Sequence, residues 1–129
     1  MERTRALRLV GAVLVLVGGA IHLKLNLDDY GNDDIIRAFA LNAGASALVA
    51  GYLALRDDLV GPLAGIGLSL GTLAAFALAR RGDGLLDLRE VGWNPSPEAG
   101  VSVATEVLAL VVLALVAWRA RAATSSRRS

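Results

Sequence analysis

The stretch VSVATEVLALVVLALVAW, residues 101–118, is apolar at nearly every position and carries one ionisable group, Glu106. An α-helix rises 1.5 Å per residue, so about 20 such residues are needed to cross a hydrocarbon core about 30 Å thick. Three further runs, residues 9–25, 35–55 and 59–79, have the same character, and with 99–118 they take up most of the 129-residue chain. Composition agrees. The chain is 55% hydrophobic, and its mean hydropathy is +0.56. Soluble domains hold roughly 45–50% apolar residues and are not blocked in this way. The expected fold is all-α, a transmembrane four-helix bundle of up-down topology, forming a single membrane domain over residues 1–129.

The first run also has features of a removable signal peptide: a basic MERTRALR, an apolar LVGAVLVLVGG and small residues at Gly18, Gly19 and Ala20. The apolar pattern nevertheless continues through Ile21, Leu23, Leu25 and Leu27, which favours a retained first helix.

Lys and Arg set orientation. With four alternating spans, one side carries Arg3, Arg5, Arg8, Arg56, Arg119, Arg121, Arg127 and Arg128; the other carries Lys24, Arg37, Arg80, Arg81 and Arg89. The larger set clusters at the two termini, which are therefore expected in the cytoplasm, with Arg80-Arg81 as the main counter-indication. The acidic residues sharpen the contrast. Asp28, Asp29, Asp33, Asp34, Asp83, Asp87, Glu90 and Glu98 fall on the outer side, against Glu2, Asp57 and Asp58 inside. The basic inner face suits anionic lipid heads. No aromatic or groove-reading pattern points to nucleic acid. The tail at 119–129, RARAATSSRRS after Trp118, reads as a solvated, mobile end.

The polar residues within the spans are the informative ones. Counting inward from the outer ends, Asn42, Thr72 and Glu106 each lie seven residues deep, about 10 Å, while His22 and Arg37 lie nearer the surface. The inner halves are almost entirely Ala, Leu, Val and Gly. Small or polar residues also recur at helical spacing: Gly11, Val15, Gly18 and His22; Ala38, Asn42, Ser46 and Ala50; Gly61, Gly65 and Ser69; Ser102, Glu106 and Ala109. Such stripes let helix backbones approach, so these polar groups are expected to face protein and to form a pocket in the outer half. A charge at mid-membrane costs about 2.5–3.5 kcal/mol on insertion scales, and intramembrane ionisable groups are functional candidates by default. Glu106 can avoid that cost by staying protonated or by pairing with Arg37 or His22. The bland alternative for all of them is interhelical hydrogen bonding, worth about 0.6 kcal/mol per bond.

The longest connection contains GLLDLREVGW, expected as a short interfacial helix with Trp93 at headgroup depth; Tyr30 in the first loop is the other expected interface aromatic. In NPSPEAG, Ser96 suits a helix N-cap and Pro97 the first helical position, so the fourth helix should begin near Pro97. Metal sites are not expected. The Asp-rich first loop lacks EF-hand spacing, and one His with no Cys is short of a zinc ligand set. One His could ligate a haem, but nothing else argues for one. No cofactor is implied, and the absence of Cys excludes thiol-disulfide chemistry.

The runs GGAIHLKLNLDDY, IIRAFALNAGASALVAG and LREVGWNPSPEA, with His22, Tyr30, Phe39, Leu41, Asn42, Glu90, Pro97 and Glu106, resemble a family of small uncharacterised four-span bacterial integral membrane proteins. That resemblance implies the four-helix fold and a multi-pass protein of the bacterial cytoplasmic membrane. It carries no activity. A fainter likeness to DoxX-like four-span proteins rests on size and helix count without a diagnostic motif, so a redox role by that route is analogy.

Two function classes follow. The first is a binding or accessory protein whose outer-half pocket, around His22, Arg37, Asn42 and Glu106, takes a small ligand, a lipid headgroup or a partner helix. The second is a membrane redox enzyme or redox partner for a quinone-like substrate, with Glu106 and His22 handling protons within hydrogen-bond reach of it. A transporter ranks third, since four spans without a repeat would need oligomerisation to form a pathway. The expected partners are the lipid bilayer and further copies or subunits of a larger membrane complex.

Overall fold

A computed structural model describes residues 2–128 as four helices: α1 (Glu2–Leu27), α2 (Asp33–Leu55), α3 (Val60–Ala79) and α4 (Glu98–Ser126). All four are long and apolar enough to cross a membrane. The chain is a multi-pass, all-α four-helix bundle. Successive helices run antiparallel: the far end of α1 meets the start of α4 through Lys24 and Glu98, 2.9 Å apart, and its near end meets the α2–α3 connection through Arg8 and Asp57, 2.5 Å apart. α1 and α3 approach across the short diagonal, whereas α2 and α4 stand apart.

Local sequence explains the helix ends. At α2 the Asn32 side chain accepts from the Ile35 amide at 3.1 Å, and Asp33 and Asp34 place negative charge on the positive end of the helix. α3 has no cap from its own flanking residue Leu59; instead Asp58 accepts from the Val60 amide at 3.0 Å and from the Tyr52 hydroxyl at 2.8 Å. The Tyr52 bond, followed by the backbone amides of Val60 and Gly61, holds the Asp58 carboxyl below its ordinary range.

Three sequence expectations need correction. The stretch 119–126, expected as a mobile tail, continues α4 to Ser126. Ala120, Ala122 and Ala123 favour helix, and the hydroxyls of Thr124 and Ser125 bond back to the carbonyls four residues earlier. Ser129, like Met1 at the other limit of the domain, lies outside the described residues. At the start of α4, Ser96 caps nothing; Pro97 occupies the cap position and the Pro95 carbonyl takes the Ala99 amide at 2.8 Å. The expected interfacial helix is absent as well. Leu85 and Leu88 exchange two backbone hydrogen bonds, 2.9 and 2.8 Å, around a two-residue turn. Leu86 and Asp87 both adopt positive φ, +49° and +62°, the requirement of a type I′ turn. Gly84 before it has no alternative, because a side chain there would collide with the Leu88 carbonyl.

The apolar core sits in the half of the bundle nearer the termini: Ala12 and Val15 of α1, Ala50 and Leu53 of α2, Ala109 and Leu113 of α4. Leu113, fully buried, occupies the space left free by Gly11 of α1 and Gly65 of α3. Large side chains such as Val13, Leu16, Leu41, Leu48, Leu63 and Val111 point outward, as a lipid-facing surface requires. Gly65→Val should therefore lower stability by about 1–3 kcal/mol through overpacking against Leu113. Gly44→Ala, where open space surrounds the new methyl, should leave stability unchanged or slightly raised. Thermal unfolding in detergent checks both.

Candidate functional site

At the end opposite the termini the helices border a cavity of about 340 Å³. α1 contributes His22 and Leu25, α2 Phe39 and Asn42, α3 Thr72 and Phe76, and the α3–α4 loop closes the top with Leu85, Leu86 and Leu88. Gly67 and Gly71 also border it and are themselves exposed. The cavity therefore reaches the outer surface of the bundle along α3, where the missing side chains leave it open.

Its polar lining is sparse and held in place. His22, buried, places Nδ1 2.7 Å from the Gly18 carbonyl. A carbonyl can only accept, so Nδ1 carries the hydrogen and Nε2 of the neutral ring presents a lone pair. Nε2 has no partner among the described residues. Across the cavity Asn42 Nδ2 donates to Thr72 Oγ1 at 2.9 Å, joining α2 to α3. The Thr72 hydroxyl donates to the Leu68 carbonyl at 2.9 Å, and Ser46 donates to Asn42 Oδ1 at 3.3 Å.

Glu106 lies deeper. It is buried, 6% exposed, and does not border the cavity. One carboxylate oxygen rests against Gly18, where an added Cβ would come within 2.7 Å of it. The Ser69 hydroxyl of α3 is beside the carboxylate, but not aligned as a full hydrogen bond. Gly18 thus separates the two ionisable groups, its carbonyl taking His22 and its bare Cα facing Glu106. No cation pairs with Glu106 among the described residues.

Arg37 is placed elsewhere. Its side chain is 77% exposed, 3.9 Å from Asp34, and it meets neither Glu106 nor the cavity. Tyr30 and Trp93, read as interface aromatics, do sit at this end. Trp93 is 60% exposed and packs its ring 5.6 Å from Phe76. Tyr30 is half-buried, with Phe39 6.2 Å away, and Phe39 in turn lies 5.6 Å from His22. Burial first, and then the neighbouring Glu90 carboxylate, push the Tyr30 hydroxyl above its ordinary pKa.

The residue that organises the loop is Arg80. Its guanidinium pairs with Glu90 at 2.6 Å, both side chains largely buried. It also donates to the carbonyls of Gly92 at 2.5 Å, Asn94 at 2.8 Å and Phe76 at 3.0 Å, and lies 3.4 Å over the Phe76 ring. Asn32 adds a clamp from the α1–α2 turn, donating to the Leu86 carbonyl at 2.7 Å. These bonds fix the roof. In the sequence Arg80 reads only as a topogenic charge; the glycines at 82, 84 and 92, which let the loop fold back to it, were the available signal.

Comparison with protein-family models, curated proteins and solved structures found no match.

Tyr30 gives a test of the roof. A raised folded-state pKa means that its neutral form contributes stability below the unfolded value, about 10, and that this is lost as pH rises through the folded value. In spectrophotometric titration at 295 nm, Tyr30→Phe should remove a component with a midpoint above that of free tyrosine. Glu90→Gln, which removes the nearby charge, should move that component down.

Proposed function

We propose that this chain is a small multi-pass protein of the bacterial cytoplasmic membrane that binds a lipophilic ligand or lipid group, as a binding or accessory subunit rather than as an enzyme. The observation that carries the reading is the cavity: apolar over most of its wall, supplied with a few fixed polar groups, roofed by a pinned loop and open at its flank along Gly67 and Gly71. Ligand pockets of about 300–1,000 Å³ have this composition. With the roof closed by Arg80 and its partners, a ligand enters from the side, through the acyl-chain region of the bilayer.

A proton-handling redox reaction is the less favoured reading. It needs His22 and Glu106 within reach of one substrate, and only His22 borders the cavity. Glu106 fits better as a polar contact between α1, α3 and α4.

The arginine-rich ends support a cytoplasmic location for both termini, which puts the cavity in the outer leaflet. The chain has no cysteine, so single cysteines report cleanly. In intact cells a membrane-impermeant maleimide should label Ser96→Cys, and it should label Ser125→Cys only after lysis. The reverse pattern would invert the orientation.

Ala75 borders the cavity and is half-buried, so Ala75→Phe should fill it. Mass spectrometry of the protein gently extracted from membranes should find a retained small amphiphile on the parent and at least about tenfold less on this variant, the change expected when roughly 1.4 kcal/mol or more of binding is lost. Equal occupancy would place the ligand elsewhere.

A further inference from the structure

The cavity's hydrogen-bonding groups are unequal in kind. His22 spends its only neutral-state hydrogen on the Gly18 carbonyl, and Thr72 spends its hydroxyl hydrogen on Leu68. Asn42 uses one of its two amide hydrogens on Thr72. What remains unspent on these lining residues is mostly acceptor: the bare Nε2 of His22, lone pairs on Thr72 and Asn42, and the carboxylate oxygens of Glu90 and Glu98. The remaining side-chain donors are one Asn42 hydrogen and the Ser102 hydroxyl, which can equally accept. Both carboxylates are already matched by a cation, Glu90 by Arg80 at 2.6 Å and Glu98 by Lys24 at 2.9 Å. No Lys or Arg side chain lines the space.

We infer that the cavity selects neutral lipophilic molecules whose polar head donates hydrogen bonds, an alcohol or phenol, over carbonyl, carboxylate or phosphate heads. This rests on the ligand-binding reading above. A hydroxyl donating to His22 Nε2 satisfies an acceptor that has no protein partner among the described residues. A carbonyl head finds few donors and leaves Nε2 unsatisfied, and an anionic head meets two carboxylates with no free cation to offset its desolvation. The aromatic wall of Phe39 and Phe76 suits a phenol in particular.

The test uses the full chain in nanodiscs and four probes of one chain length: a 4-alkylphenol, its methyl ether, the 4-alkylbenzaldehyde and the 4-alkylbenzoate. Binding is read by native mass spectrometry, with Ala75→Phe as the control for sites outside the cavity. The phenol should bind about tenfold more tightly than the other three, the scale of one buried hydrogen bond made against one left unmade. His22→Phe should erase most of that advantage while leaving ether binding in place. The comparison of probes on the native chain decides the matter even if this variant does not fold. Ether, aldehyde or benzoate binding as tightly as the phenol, and sensitive to Ala75→Phe, would overturn the inference and leave the ligand-binding reading standing. If no probe binds, or all bind Ala75→Phe equally well, the ligand-binding reading falls and this inference with it.

Discussion

In a bilayer a leucine side chain gains nothing by leaving lipid for protein unless it packs more closely there, because the acyl chains are as apolar as the protein interior. The bundle meets this condition with Leu113, seated in the spaces that Gly11 and Gly65 leave open. That contact draws α1, α3 and α4 together in the half nearer the termini. Gly19 against Ser46 brings α1 and α2 together further along, just below the cavity. With the near half closed by backbone approach, the open space lies in the opposite half. α2 and α3 remain linked there by the Asn42–Thr72 hydrogen bond, and the space between becomes the cavity.

A cavity at that end needs a lid, since lipid headgroups and water would otherwise fill it. The α3–α4 loop serves through one cation. Arg80 is fixed by Glu90 and three carbonyls, and its position just after α3 anchors the loop to the helix whose flank is open. Breaking a buried pair by deleting one partner generally costs about 3–5 kcal/mol, and the network around Arg80 concentrates that cost in a loop of fewer than twenty residues. Leu86 is held at positive φ, a conformation that disfavours a branched side chain; the Asn32 clamp on its carbonyl and the paired Leu85 and Leu88 on either side keep it there.

Much of this was legible in the sequence. Apolar length gave the four spans, and small-residue spacing correctly turned His22, Asn42, Ser46, Ser69 and Glu106 toward protein. Depth counting placed Asn42 level with Thr72, and they are hydrogen-bonded. The same count placed Glu106 with them, yet it meets neither: α2 and α4 do not touch, and on the neighbouring α3 Glu106 lies beside Ser69 rather than Thr72. Arg37 failed for a simpler reason. It is one residue off the Ala38–Asn42–Ser46 stripe, a rotation of about 100°, which turns it toward Asp34 and the exterior. The loop was read as a helix because its leucines recur among charges. Nothing in Leu-Asp announces a type I′ turn, which usually draws Asn-Gly, and ion pairs ten residues apart leave no periodic trace.

Gly18 ties these features together. Its missing side chain admits the Glu106 carboxylate, and its carbonyl fixes the His22 tautomer. Thr72 repeats the pattern, its hydroxyl donating to the carbonyl four residues back. Both bonds follow from helix geometry, in which the side chain at one position overlies the carbonyl of the preceding turn. They have the same consequence. The hydrogens of these two lining residues are spent on the helices that carry them, and what is left unspent is acceptor. The hydrogen-bonding polarity of the cavity is thus a property of its helices' own backbones, established before any ligand arrives.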